Sequence, residues 1–151
     1  MTPVEPPRVS PPQLPPLIAL DPGDACDDES FSEALLTWSG EQASLIGADI
    51  TDSRLARLPS DHLHARRLRL AEVEVTDPSV VTLNAPRSHW RGVVIEGGSI
   101  GVLDCSGATW QNVTLQGVRI GYANLREAKL SDVTLTGCRI GTLDLAGATT
   151  T

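Results

Sequence analysis

Apolar residues recur at every fifth position along most of this chain. From Leu45 the fifth positions read Leu45, Ile50, Leu55, Ser60, Ala65, Leu70, Val75, Val80, Ala85, Trp90, Ile95, Ile100, Cys105, Trp110, Leu115, Ile120, Leu125, Leu130, Leu135, Ile140, Leu145 and Thr150. Two residues before each stands a smaller series, beginning Ala43, Ala48, Ser53, Leu58, Leu63, Leu68, Val73 and running to Ala148. Between residues 43 and 150 the two series hold 44 of 108 positions, and random placement puts about nine of the 22 charged residues of that span among them. None is there. Charge avoids in this way only positions hidden from water, so the two series mark an interior.

Residues two apart on an extended segment point to one side, and a five-residue period repeats that inward pair with a turn between. A second period of twenty is superposed: SGATW matches REAKL and AGATT, QNVTL matches SDVTL, QGVRI matches TGCRI, and GYANL matches GTLDL. Four sides of five residues make a square coil. Stacked coils pair as parallel strands ~4.8 Å apart, so about five coils make a rod of roughly 25 Å. The predicted fold is all-β, a quadrilateral parallel β-helix in which each coil covers the apolar edge of the next. Its predicted core is Ile50, Leu55, Leu70, Trp90, Ile95, Ile100, Trp110, Leu115, Ile120, Leu125, Leu130, Leu135, Ile140 and Leu145. Trp90 and Trp110, twenty apart, fall on one side of adjacent coils, each beside a small inward companion, Ser88 or Ala108. Glycines cluster just after the fifth position (Gly92, Gly97, Gly107, Gly117, Gly137 and the series Gly101, Gly121, Gly141), where corners need permissive backbone.

Blocks such as Ala48-Asp49-Ile50, Ala123-Asn124-Leu125 and Ala128-Lys129-Leu130 resemble the A(D/N)LXX unit of the pentapeptide-repeat family, and the resemblance covers residues 41–150. It implies a right-handed quadrilateral β-helix, the handedness coming from the resemblance alone. It also implies a non-enzymatic bacterial protein that binds or scaffolds other proteins. An alternative it carries is a DNA-mimicking regulator or protector of DNA gyrase or topoisomerase IV. Such a mimic is expected to be acidic along its sides, and those relatives favour Phe at the central position, where no repeat here has one.

The leader reads differently. Residues 1–16 hold seven of the eleven prolines, a composition that favours extended polyproline II and builds no core. Residues 1–20 are expected to be a mostly disordered tail, with residues 17–20 (LIAL) able to add a strand to the first coil. Residues 21–40 are expected to form an acidic leader and N-terminal cap, and residues 41–151 the β-helix. Between Asp27 and Gly40 two readings stand. Ser30 with Glu33 makes a capping box and FSEALLTW has helical spacing; alternatively Leu35–Gly40 is an irregular opening coil with Trp38 inward. The pentad frame fails one block earlier, where Glu33 falls on an inward position. Either form would cover an edge otherwise prone to aggregation.

Charge changes the picture in one respect. The formal net charge is −7, but residues 1–40 account for −6 of it and residues 41–151 for −1. One side of the rod gathers Arg66, Arg67, Arg69, Arg87, Arg126 and Lys129 against Asp49 and Glu127. Another carries His64, Asn84, Asp104, Asn124 and Asp144 as a polar and acidic ladder. The basic side suits an acidic partner; without interleaved aromatics, direct nucleic-acid binding is not expected.

Other chemistry is sparse. EGGSIGVLDCSG lacks the Gly-Lys-Ser/Thr ending of a phosphate loop and fits the repeat frame throughout. His62 and His64 share an outward direction beside Asp61, but two histidines without a third ligand make a poor metal site, and His89 stands apart. Cys105 and Cys138 fall on inward positions, and Cys26 has no basic neighbour to activate it. No catalytic residues, metal or cofactor are expected. Three cysteines without a framework, no signal segment and no membrane-length apolar run predict a cytoplasmic, non-membrane protein. The final block AGATT leaves the layer of Leu130, Leu135, Ile140 and Leu145 uncovered, predicting a homodimer paired end to end through its C-terminal coils. The protein partner is otherwise unidentified, a type II topoisomerase being the named alternative.

Overall fold

A computed structural model describes residues 12–151; most of the proline-rich tail, residues 1–11, lies outside the described residues. Every named element is a β-strand and every pairing between strands is parallel. The strands alternate between two sheets. The first stacks β1 (Ile18–Leu20), β3 (Ala34–Thr37), β5 (Asp49–Arg57), β7 (Arg69–Thr76), β9 (His89–Glu96), β11 (Thr109–Gln116), β13 (Lys129–Thr136) and β15 (Thr149–Thr150), with β2 (Ser30–Ser32) also on β5. The second stacks β4 (Gln42–Ser44), β6 (His62–His64), β8 (Ser79–Asn84), β10 (Ser99–Asp104), β12 (Arg119–Asn124) and β14 (Arg139–Asp144). The result is a parallel β-solenoid of about seven turns, not about five.

Each long strand spans two sides of the square. The bend within β5, β7, β9, β11 and β13 falls at Asp52, Glu72, Gly92, Asn112 and Asp132, all in the left-handed region with φ of 48–64°. The corner after β6, β8, β10, β12 and β14 uses Arg67, Arg87, Gly107, Glu127 and Gly147 at φ of 56–73°. Gly101, Gly121 and Gly141 serve another corner for a steric reason. A Cβ on Gly121 would sit 2.6 Å from the Gly101 carbonyl oxygen, and one on Gly141 2.6 Å from that of Gly121.

The interior is continuous from Cys26 to Leu130. Trp90 and Trp110 stack with ring centroids 5.0 Å apart and planes 8° from parallel. The two buried hydroxyls are satisfied: Ser53 donates to the Thr51 carbonyl at 2.7 Å and accepts from the Ala34 N–H at 3.1 Å. Ser88 donates to the Ala65 carbonyl at 3.1 Å. Of the predicted core, Leu135 and Leu145 stay 42% and 46% exposed and Ile140 half-buried, because no described coil lies over them.

The leader accounts for the extra turns. Of the two readings of this segment, the helix over FSEALLTW does not form and Trp38 is inward as in the other; Ser30–Ser32 and Ala34–Thr37 are strands on β5. Here the pairing offset is nineteen residues, Phe31 on Ile50 and Leu36 on Leu55, and it returns to twenty at Thr37 on Arg57 through an irregularity between Leu36 and Thr37. The pentad frame therefore does not fail at Glu33. It slips by one residue, so Cys26, Phe31 and Leu36 take the inward places, and Glu33 sits exposed at a corner with φ 54°. Upstream, Ala25 bridges Ser44 and Ile18–Leu20 pairs with Ala34–Leu36, so residues 18–40 are themselves coiled. Trp38 is inward and donates its indole N–H to the Gly23 carbonyl at 2.9 Å, tying the leader to the rod.

Two glycine substitutions separate the two corner constraints. Gly117 has φ +65° with no atom near its missing Cβ, so Gly117→Ala is expected to cost about 1 kcal/mol in backbone strain alone. Gly121, whose φ is not positive, has instead a backbone clash with the neighbouring coil, and Gly121→Ala is expected to cost about 2–3 kcal/mol. Urea unfolding of the two variants checks the order.

Candidate interaction surface

The ladder of His64, Asn84, Asp104, Asn124 and Asp144 stands in register across five strands. Much of its hydrogen-bonding capacity is engaged within the fold. Asp104 Oδ1 accepts from the Ser106 N–H at 3.0 Å, Asn124 Oδ1 from the Arg126 N–H at 3.1 Å, and Asp144 Oδ1 from the Ala146 N–H at 3.0 Å. These are Asx turns, in which the side chain accepts from the backbone two residues on and shapes the corner. Asp144 also meets Arg126 Nε at 3.8 Å and accepts from the Tyr122 hydroxyl at 3.4 Å. One rung is incomplete. Asn84 Oδ1 is shielded from solvent without a donor, because the residue two on is Pro86, which has no N–H.

His62 and His64 stack with ring centroids 3.9 Å apart and planes 23° from parallel. His62 Nε2 is buried without a partner. Burial first, then the neighbouring His64, hold the His62 pKa below its ordinary value, against a smaller opposing pull from Asp61. Among the described residues no group of three His, Cys, Asp or Glu side chains is placed to hold a metal ion.

The basic side is more open. Arg66, Arg67, Arg69, Arg87, Arg126 and Lys129 are all exposed. The structure adds two residues that the sequence reading left aside. His89 lies in register with Arg69, and Arg91 follows the inward Trp90 and shares the outward face of His89. The signal for Arg91 was available: the two neighbours of an inward strand residue face outward together. Arg69 and His89 belong to a ridge, Asp49–Arg69–His89–Thr109–Lys129, with a shallow groove on either side. One groove is lined by Asp28, Asp49, Arg67, Arg69, Arg87 and His89, and the other by Asp49, Thr51, Arg69, His89, Arg91 and Gln111. Among the described residues, no carboxylate forms an ion pair with Arg66, Arg67, Arg69, Arg87 or Arg91. Arg126 and Lys129 stand apart from this group, beyond the neutral Ser106, Gly107 and Thr109.

At the C-terminal end Leu135, Leu143 and Leu145 line a concavity of about 350 Å³ with Trp110, Leu125 and Leu130. Cys26 and Cys105 are buried and Cys138 half-buried. Burial pushes Cys105 well above the ordinary thiol range. Burial, then Glu29 and three aspartates, raise Cys26. Cys138 donates to the Leu115 carbonyl at 3.2 Å. Among the described residues no helix is long and apolar enough to cross a membrane.

The family profile of pentapeptide repeats matches residues 104–140 in eight copies, on the coils whose pentads stack in register above. Residues 104–140 of this chain are pentapeptide repeats. The rod also aligns with the solved structure of a trypsin-treated variant of QnrB1, described as a plasmid-mediated fluoroquinolone resistance protein. Identity is 13% and the TM-score 0.27, over 89% of this chain and 92% of that one. No curated protein sequence matches the chain.

Two outcomes follow for the ladder. Asp104→Ala removes a corner bond and is expected to cost about 1 kcal/mol, whereas Asn84→Ala, whose carbonyl has no donor, should cost a few tenths; thermal unfolding ranks them. For His62, a folded-state pKa below the unfolded value means that the unfolded chain takes up the proton more readily. Stability is then full above the unfolded value of about 6.5 and falls as pH drops through it. Denaturant midpoints from pH 7.5 to 5 should decline, and His62→Gln should flatten the decline.

Proposed function

We propose that this pentapeptide-repeat rod is a non-enzymatic, cytoplasmic protein-interaction module. The observation that carries the reading is the division of labour in each coil. The inward pair is committed to the core, and the corners to Asx turns and left-handed backbone. The remaining side chains stand in straight outward columns on a rigid support, an arrangement suited to recognition of an extended surface. In this reading the apolar layer of Leu135, Leu143 and Leu145 is a surface that a further coil or a second copy of the chain would cover, and homodimerisation through it is part of the proposal.

A second reading, a DNA-like regulator of a type II topoisomerase, draws on the rod shape. Its difficulty is electrostatic: the exposed arginine side has the sign opposite to that of duplex DNA.

Immobilised protein challenged with lysate of its own organism, with retained proteins identified by mass spectrometry, tests both readings. Stoichiometric retention of one partner is the result expected of an interaction module. Retention of gyrase or topoisomerase IV subunits, with inhibition or protection of supercoiling by the pure rod, would put the second reading first. Retention of nothing above a scrambled-surface control would end both.

A further inference from the structure

The arginine side has a consequence that rests on the interaction-module reading and goes beyond it. Arg66, Arg67, Arg69, Arg87 and Arg91 project from two consecutive coils, β-strand spacing apart, all exposed. Among the described residues they make no ion pair, while the other charged pairs of the rod, Arg54–Glu74 at 2.8 Å and Arg126–Asp144, are formed locally. The two grooves beside the Arg69–His89 ridge share Asp49, Arg69 and His89 and run along the rod axis, across the strands. Backbone geometry sharpens the point. The corner column reads Gly47, Arg67, Arg87, Gly107, Glu127 and Gly147, all at positive φ, where glycine is the unstrained residue. Two adjacent rungs nevertheless carry arginine.

We propose that this side is a docking surface for a carboxylate-rich segment of a protein partner, lying along the rod over the Arg67–Arg87 row and the groove between Arg69 and Arg91. Charge complementarity selects the occupant. Guanidinium groups pair with carboxylates in a bidentate fork, and grooves parallel to the axis admit an extended chain. A nucleic acid fits less well. The side presents no exposed Phe, Tyr or Trp ring on which bases could stack.

The test uses the full chain and three probes measured by fluorescence anisotropy: a fluorescent peptide of alternating Glu and Ser, its Gln counterpart, and a duplex DNA of similar length. The expected result is binding of the Glu peptide alone. It should weaken at least about tenfold in an Arg69→Glu, Arg87→Glu double variant and on raising salt from about 50 to about 300 mM, as partly screened surface charges require. The same reversal at Arg119 and Arg139, exposed on another side, should leave it unchanged; circular dichroism checks that both variants stay folded. Equal or tighter binding of the DNA, no binding of the Glu peptide, or binding indifferent to Arg69 and Arg87 would each overturn the assignment. The lysate capture repeated with the double variant separates the two failures. A partner retained by both forms leaves the interaction module standing and removes this surface, whereas no partner in either removes the module itself.

Discussion

Everything in this molecule depends on the register between one coil and the next. From β5 onward each strand residue pairs with the residue twenty positions away, so an inward side chain is stacked on inward side chains above and below. A period of two in side-chain direction leaves no tolerance for a one-residue error inside a strand, because such a slip turns the whole apolar set outward. The error has to be absorbed by a local irregularity of the ladder. That is what happens between Leu36 and Thr37, where an offset of nineteen becomes twenty and Trp38 re-enters the interior.

The same register decides what the interior can hold. Bulky groups twenty residues apart must stack on one another, and Trp90 over Trp110 satisfies this with parallel offset rings. Their indole N–H groups are buried with no acceptor among the described residues, a cost of about 1–3 kcal/mol each. Burial of two large aromatic surfaces offsets it, and their small companions Ser88 and Ala108 leave room for them. Trp38, in the irregular first coils, has a carbonyl within reach and uses it.

How far the sequence revealed this follows from the same constraint. The exclusion of charge from two columns identified the inward residues from Ala43 to Leu130, apart from Ser60, which is exposed, because a repeated frame multiplies a weak signal. A slip of one residue removed that signal for Cys26, Phe31 and Leu36. A short apolar run with a capping-box pair then read equally well as helix, since local spacing carries no record of the partner strand that Ser30–Thr37 finds on β5. The polar ladder was legible as a column but not as chemistry. Its role in Asx turns depends on a backbone N–H two residues on, a detail visible in hindsight at Asn84-Ala85-Pro86, where proline withdraws that donor.

This last point bears on where recognition can reside in a repeating rod. Conspicuous columns of Asp and Asn invite a functional reading, yet Asp104, Asn124 and Asp144 turn their oxygens toward the backbone. Their periodicity is a requirement of the corner. A column that departs from what its corner requires carries more information. Arginine at the left-handed positions 67 and 87, between Gly47 and Gly107 in a corner column that otherwise departs from glycine only at Glu127, is such a departure. The adjacent Arg69 and Arg91 point the same excess charge into two grooves where no carboxylate pairs with it among the described residues. In a fold built by repetition, the specific surface is found where a residue breaks the repeat without serving the core or the turn.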